Sequence, residues 1–315
     1  MKVLITGVSG FVGSGLVDYL QSIEGVSLVG HGRNQEALEG RFSRDAIQII
    51  PSYSAEIFDE LEISCIVHLA GIAHDLSNKY KTEDYREINF KGTESIFREF
   101  VKSKATSFIF LSSIKACVDS SDFPVNEEAI PTPLSDYGKS KQLAEQSILS
   151  QPLSGAKRAY ILRPCMIHGR GNKGNLNILY KYVRSGLPYF FGAYSNQRPF
   201  LTAENLNFII LQFVKKEFPS GIYHLADKGN LSTPDLIRLI CSCINKNPRI
   251  WSVSPRVLDV FFKLGSRLGL PFERMKQKLT ESLIVSTSKI EAALGEPLPV
   301  DLKTGLQTTL KSFDE

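Results

Sequence analysis

A phenol and an ammonium four residues apart carry the first hint of chemistry. In Tyr137-Gly138-Lys139-Ser140-Lys141, a helix puts the Tyr137 and Lys141 side chains on one face, about one turn apart. A tyrosine titrating near pH ~10 is a poor base at neutral pH, and a neighbouring ammonium stabilises its phenolate. Lowering that midpoint by about 3 pH units takes about 4 kcal/mol of differential stabilisation. A serine pair, Ser112-Ser113, ends an apolar run 24 residues before Tyr137. Ser113 can offer one more hydrogen bond to the same substrate oxygen. Such a trio moves a proton on and off a hydroxyl or carbonyl. The spacing alone is common, since a solvated helix start can carry lysines at any interval, so the weight comes from the rest of the chain.

That weight sits at the N-terminus. The run Gly7-Val8-Ser9-Gly10-Phe11-Val12-Gly13 follows a short apolar strand, Val3-Leu4-Ile5, and opens an amphipathic helix expected over 12–20. A glycine turn between strand and helix lets the backbone approach a pyrophosphate at the positive end of the helix. Gly7, Gly10, Phe11 and Gly13 are therefore candidate cofactor contacts. The two motifs together point to a dinucleotide-dependent enzyme, in which a cationic nicotinamide would further favour the phenolate. The absence of metal-type spacing predicts no metal.

The elements that must hold these residues follow from the apolar pattern. Short apolar runs at 2–6, 26–31, 47–50, 65–70, 107–112 and 159–163 alternate with helical patterns, the longest at 82–103 and 137–149. Such runs suit strands buried on both faces. Strand and helix in alternation predict an α/β fold, a Rossmann-like doubly wound parallel sheet, with ligands beyond the carboxyl ends of its strands. Gly7, Gly71 and Ser113 all fall at or just past such ends. The expected division is a dinucleotide-binding domain over 1–165 and a smaller, irregular substrate lobe over 166–315, with 222–246 returning to the sheet. Thr233 before Pro234 reads as a helix cap, and Phe261–Gly269 as an amphipathic helix packed in the smaller lobe.

Composition narrows the class. The 315 residues are 43% apolar and 22% charged, ordinary for a globular protein. A net charge of +4 without a basic stripe argues against nucleic acid. The five cysteines, with one Cys241-Ser242-Cys243 among them, read as buried free thiols in a reducing compartment. No apolar run approaches the roughly 20 residues of a spanning helix. A first core strand at the N-terminus leaves no space for a signal peptide, so a cytoplasmic protein is expected.

Taken together, Thr6-Gly7-x-x-Gly10-x-x-Gly13, His68-Leu69-Ala70-Gly71, Asn89-Phe90-Lys91-Gly92-Thr93, Ser112-Ser113, Tyr137-x-x-x-Lys141 and Arg163-Pro164 resemble the extended short-chain dehydrogenases/reductases of the NAD-dependent epimerase/dehydratase type, which act on nucleotide sugars. The resemblance covers almost the whole chain. It implies that Tyr137 is the general acid/base, that Lys141 lowers its pKa and holds the ribose, and that Ser113 orients the sugar hydroxyl. Ala70, Gly71 and Asn89 would line the cofactor site. Asn175 and Arg198 match positions that contact the diphosphate sugar, and a guanidinium fork suits phosphate. His74 is a further candidate sugar contact. Ser112-Ser113-Ile114-Lys115 resembles a subgroup related to UDP-glucose 4-epimerases, some of which make UDP-N-acetylhexosamines for bacterial surface polysaccharide. Relatives commonly form homodimers through the two long helices.

The second apolar run ends His31-Gly32-Arg33. A carboxylate there would hold the adenine ribose, whereas a guanidinium accommodates a 2′-phosphate. Arg33 therefore favours NADP(H), with NAD(H) the other possibility. A sugar 4,6-dehydratase of this family carries an Asp-Glu pair where this chain has Ile114 and Lys115, so dehydration is not expected. A 4-epimerase and a 4-ketoreductase acting on a UDP-hexose remain. A non-catalytic dinucleotide sensor of the same fold is the other class, and such proteins usually lose the Tyr or the Lys.

Overall fold

The computed structural model describes residues 1–43, 45–73, 79–172, 174–254, 256–258 and 280–314. Its strands are β1 (Lys2–Thr6), β2 (Ser27–His31), β3 (Gln48–Ile50), β4 (Ile63–His68), β5 (Ser107–Leu111), β6 (Ser121–Val125), β7 (Arg158–Pro164), β8 (Met166–His168), β9 (Phe200–Thr202), β10 (Gly221–Leu225) and β11 (Leu283–Val285). Seven of them form one sheet in the order β10-β7-β5-β4-β1-β2-β3, every pair parallel. β8 pairs with β9 and β11 with β6 in two short parallel ribbons.

Alternation along β1 explains why helices cover both faces. Val3 and Ile5 pack with Leu16, Val17, Ile210 and Phe213. Leu4 points the other way, into Ile66, Phe97, Phe100, Ala144 and Ile148. Successive strand side chains face opposite sides, so a strand apolar at every position needs two partners. The first face is covered by the helices Phe11–Leu20 and Ala203–Lys215, the second by Gly92–Lys102 and Asp136–Leu149.

The structure corrects several expectations. Helix 203–215 was expected in the smaller lobe, yet Leu206, Ile209, Ile210 and Phe213 make it a sheet-covering helix. Of 222–246, the strand β10 joins the sheet edge beside β7. The helix Thr233–Cys243 packs instead on Leu176, Tyr180, Leu306 and Leu310, a separate core. Its cap is Ser232, whose hydroxyl accepts from the Asp235 N–H at 3.1 Å, with Thr233 and Pro234 already inside the helix. The helix expected over 82–103 is interrupted: one turn at Thr82–Tyr85, a π-helical stretch at Arg86–Lys91, then Gly92–Lys102. All five thiols are free, four of them buried. Phe261–Gly269 lies outside the described residues. No helix among the described residues is long and apolar enough to cross a membrane.

Candidate active site

The carboxyl ends of β1, β4 and β5 bring the glycine turn, the Ala70-Gly71 loop and Ser113 to one side of the sheet. Gly7 has φ +73°, and a Cβ on it would lie 2.8 Å from the Ala70 nitrogen. A Cβ on Gly13 would lie 2.2 Å from the Gly7 carbonyl. Only hydrogen side chains permit this approach of helix to strand end. Gly10 caps the helix Phe11–Leu20 with no side-chain bond, and no acid occupies the first turn. Its N–H groups and positive end thus face a groove of about 770 Å³, in which Ser9, Gly10, Phe11 and Arg41 oppose Gly169 and Asn172. A diphosphate fits such a cradle. The Arg41 guanidinium donates to the Ser9 carbonyl at 3.5 Å. Arg33 is exposed in the loop between β2 and the helix Gln35–Arg41.

Tyr137 and Lys141 lie in the first turns of the helix Asp136–Leu149, which Ser135 caps by accepting from the Gly138 N–H at 3.1 Å. The structure brings Ser113 to Tyr137, and their side chains are hydrogen-bonded. The Ser113 oxygen also accepts from the Lys115 N–H at 3.2 Å. Burial around the Tyr137 phenol pushes its pKa up to about 12, and the Ser113 bond pulls it down. Lys141 is buried; its ammonium donates to the Leu111 carbonyl at 2.8 Å and lies 4.7 Å from the centre of the Phe110 ring. Desolvation brings its pKa down to about 8, against the pull of the Glu145 carboxylate. Tyr85 stands edge-on to Tyr137, ring centres 6.5 Å apart.

Behind this trio is a buried ion pair that the motifs alone did not single out. Glu145 accepts from Arg163 Nε at 2.9 Å and Nη2 at 2.6 Å, and from the Ser112 hydroxyl at 2.5 Å. The two charges are 2% and 1% exposed, so the pair is locked away from water. The signal was present: Glu145 falls four residues after Lys141, on the same buried face. Asn89, expected as a cofactor contact, is fully buried and occupied by protein. Its amide accepts from the Ile72 N–H at 2.7 Å and donates to the Ile72 carbonyl and the Ser140 hydroxyl, each at 3.0 Å. These bonds fix the Gly71-Ile72 loop against the helix; both amide hydrogens are used, and the oxygen keeps a second lone pair. A Cβ on Gly71 would lie 3.3 Å from the Lys141 ammonium nitrogen.

A second cavity, of about 450 Å³, is lined by Asn175, Arg198, Met166, Leu176, Phe191 and Tyr182 among others. Met166 is two residues past the end of β7, the neighbour of β5. The cavity therefore opens from the same edge of the sheet. Asn175 is the first residue of the helix Asn175–Arg184. Arg198 is tied by its backbone to Leu231 in both directions, at 2.9 and 3.0 Å, and desolvation depresses its pKa. His74 lies outside the described residues. His168 is fully buried and bonded through Nδ1 to the Thr309 hydroxyl at 2.9 Å.

Residues 3–226 match the NAD dependent epimerase/dehydratase family. The chain is 27% identical to the UDP-glucose 4-epimerase of Vibrio cholerae, covering 99% of this chain and 95% of that one. It is 26% identical to the N-acetyl-alpha-D-glucosaminyl-diphospho-ditrans,octacis-undecaprenol 4-epimerase of Escherichia coli O157:H7, over 98% and 94%. The fold is that of the Bacillus cereus UDP-glucuronic acid 4-epimerase solved with NAD, at TM-score 0.77, 18% identity, and coverage of 100% and 99%. With the glycine cradle and the Ser113/Tyr137/Lys141 cluster in place, the chain belongs to the NAD-dependent epimerase/dehydratase family.

Proposed function

We propose that this protein is a 4-epimerase of a UDP-hexose, most simply a UDP-N-acetylhexosamine, working in the supply of precursors for surface polysaccharide in the cytoplasm. The carrying observation is the Ser113–Tyr137 hydrogen bond beside a buried Lys141. Tyr137 takes the proton from the C4 hydroxyl and later returns it. Ser113, whose oxygen accepts from the Lys115 N–H and whose hydroxyl is bonded to Tyr137, would turn its hydrogen to the C4 hydroxyl when the sugar binds. Lys141 supplies the positive charge that brings the phenol toward neutral pH. A bound nicotinamide nucleotide would supply the hydride acceptor and donor at C4. Between the two transfers the 4-keto sugar must turn its other face. Arg198 and Asn175 would grip the diphosphate, and the apolar wall of the second cavity would hold the nucleoside.

Dehydration is disfavoured by side-chain chemistry. Ile114 is buried, and Lys115 is bound to Asp119 at 2.9 Å. Neither offers the carboxylic acid that loss of a 6-hydroxyl requires. Arg33, with no carboxylate between His31 and Gln35, keeps NADP(H) as the favoured nucleotide. It also supports a second reading, reduction of a 4-keto sugar. Two full-length relatives named as 4-epimerases tip the choice to epimerisation. Ile88, Leu143 and Leu149 are exposed apolar positions on the two long helical segments and suit a homodimer.

The test is product analysis with purified protein and UDP-N-acetylglucosamine, UDP-glucose and their 4-epimers. Interconversion without net change in reduced-nicotinamide absorbance supports the epimerase. One NADPH consumed per keto sugar makes it a reductase, and no reaction with any nucleotide sugar revives the sensor.

A further inference from the structure

The smaller lobe carries an exposed apolar rim that runs outward from the lip of the proposed nucleoside cavity and extends beyond it. Ile178, Leu187, Phe190 and Trp251 are 52, 55, 39 and 56% exposed. They are neighbours rather than scattered positions. Trp251 stands edge-on to Phe190, ring centres 5.3 Å apart. The Trp251 N–H donates to the Tyr189 carbonyl and the Tyr189 N–H to the Arg249 carbonyl, each at 2.8 Å. Ile178 and Phe190 share the lip of the second cavity. Leu187 lines the adjoining hollow with Lys246 and Arg249. Isolated exposed leucines need no explanation, whereas a joined patch containing two aromatics does.

Charge says what covers it. From residue 146 to 203 the sequence has no Asp or Glu but eight Lys and Arg. From 236 to 258 it again has none, against four basic residues. The rim is built from these two stretches. Lys181 is exposed three residues after Ile178, on the same helix face. Lys246 donates to the Arg184 carbonyl at 2.6 Å and Arg249 to the Gly186 carbonyl at 3.0 Å, which fixes both cations at the edge of the apolar strip. Arg184 is paired with Asp314, while Lys181, Lys246 and Arg249 make no ion pair among the described residues. Another protein copy would need carboxylates facing this rim. Two exposed aromatics, a leucine and an isoleucine beside three cations that make no ion pair among the described residues match the interfacial zone of an anionic bilayer.

We propose that this rim is a docking surface for an anionic lipid bilayer, which holds the mouth of the second cavity at the membrane surface. The protein would be a peripheral, reversible membrane binder, and this goes beyond the epimerase reading without depending on it.

Trp251 is the one tryptophan of the chain, so the unmodified protein reports on its own rim. With vesicles of phosphatidylcholine and phosphatidylglycerol, its emission should shift to the blue and be quenched by bromine-labelled acyl chains. Vesicles of phosphatidylcholine alone should leave it unchanged, and high salt should reverse the shift. Each cation contributes about fivefold to such binding, so Lys181→Gln/Lys246→Gln/Arg249→Gln together should weaken it by about 100-fold. Leu187→Ser, which keeps the reporter, should also lower partitioning, while retained cofactor shows that the fold is intact. No shift and no co-sedimentation with anionic vesicles overturns the proposal, as does equal binding to neutral ones. It is also overturned if the emission follows protein concentration without lipid and Trp251→Ser dissolves a dimer in ultracentrifugation. These readouts need no turnover, so they stand apart from any failure of the epimerase assignment.

Discussion

Replacing Glu145 with glutamine removes one charge behind the catalytic helix while keeping its shape. In the native chain this carboxylate accepts from Ser112 and twice from Arg163. It also supports the Lys141 ammonium against burial that has brought its pKa down to about 8. At roughly 6 Å, the spacing of side chains one turn apart, and an effective permittivity of about 20, that support is worth roughly 3 kcal/mol, or about 2 pH units. Without it, about 3% of Lys141 stays charged at pH ~7.5, against about three quarters in the native chain. The kcat–pH profile of Glu145→Gln should therefore fall on its basic side about 2 pH units earlier, with turnover near neutrality down at least tenfold. Near pH ~6 the two enzymes should differ by only about twofold. Leaving Arg163 buried without its partner should also cost about 3–5 kcal/mol in urea unfolding. Lost stability with an unmoved pH profile would refute the reasoning, because the pair would then support the fold and leave the ammonium alone.

Other predictions follow from single contacts. Gly13→Ala should abolish cofactor retention, since its methyl would lie 2.2 Å from the Gly7 carbonyl; fluorescence titration with reduced nucleotide reads this, and native affinity would remove the cradle from the account. His68 donates through Nε2 to Thr93 at 3.0 Å and accepts through Nδ1 from Thr6 at 2.7 Å, and burial first, then the Lys141 charge, hold its pKa down to about 3. The folded state refuses a proton that the unfolded chain takes up near pH ~6.5, so stability should fall by about 3 kcal/mol between pH ~6.5 and ~4. His68→Gln should start less stable but lose less over that interval in urea melts. Arg33→Asp should shift the ratio of NADP to NAD affinity toward NAD by about tenfold or more; mass spectrometry of nucleotide released from the native protein should find NADP, and NAD alone would remove Arg33 from the site.

The parts legible in the sequence are those whose physics is local. A glycine turn between apolar strand and helix, and Tyr137 one turn from Lys141, announce themselves within a few residues. The central strands are legible because burial on both faces makes each run continuously apolar. What was missed depends on partners far away in the chain. The extra residue of the π-helical stretch at Arg86–Lys91 is held where Asn89 is tied to Ile72 and Ser140, and no local pattern encodes that tie. Glu145 shares a helix face with Lys141, but its ion pair exists only once Arg163, 18 positions on, is folded over it. Helix 203–215 was misplaced because its packing on Leu16 and Val17 joins segments nearly 200 residues apart. The second cavity drew only Asn175 and Arg198 from the sequence, since its apolar wall has no spacing of its own.

The central claim is that one phenol moves the proton at the sugar's C4. Tyr137→Phe deletes that oxygen and leaves the ring that packs against Tyr85. Turnover of UDP-N-acetylglucosamine by this variant, followed by chromatography of the two 4-epimers, should fall by about 10³-fold or more while nicotinamide nucleotide is still retained. Epimerisation at near-native rate by Tyr137→Phe would contradict the account.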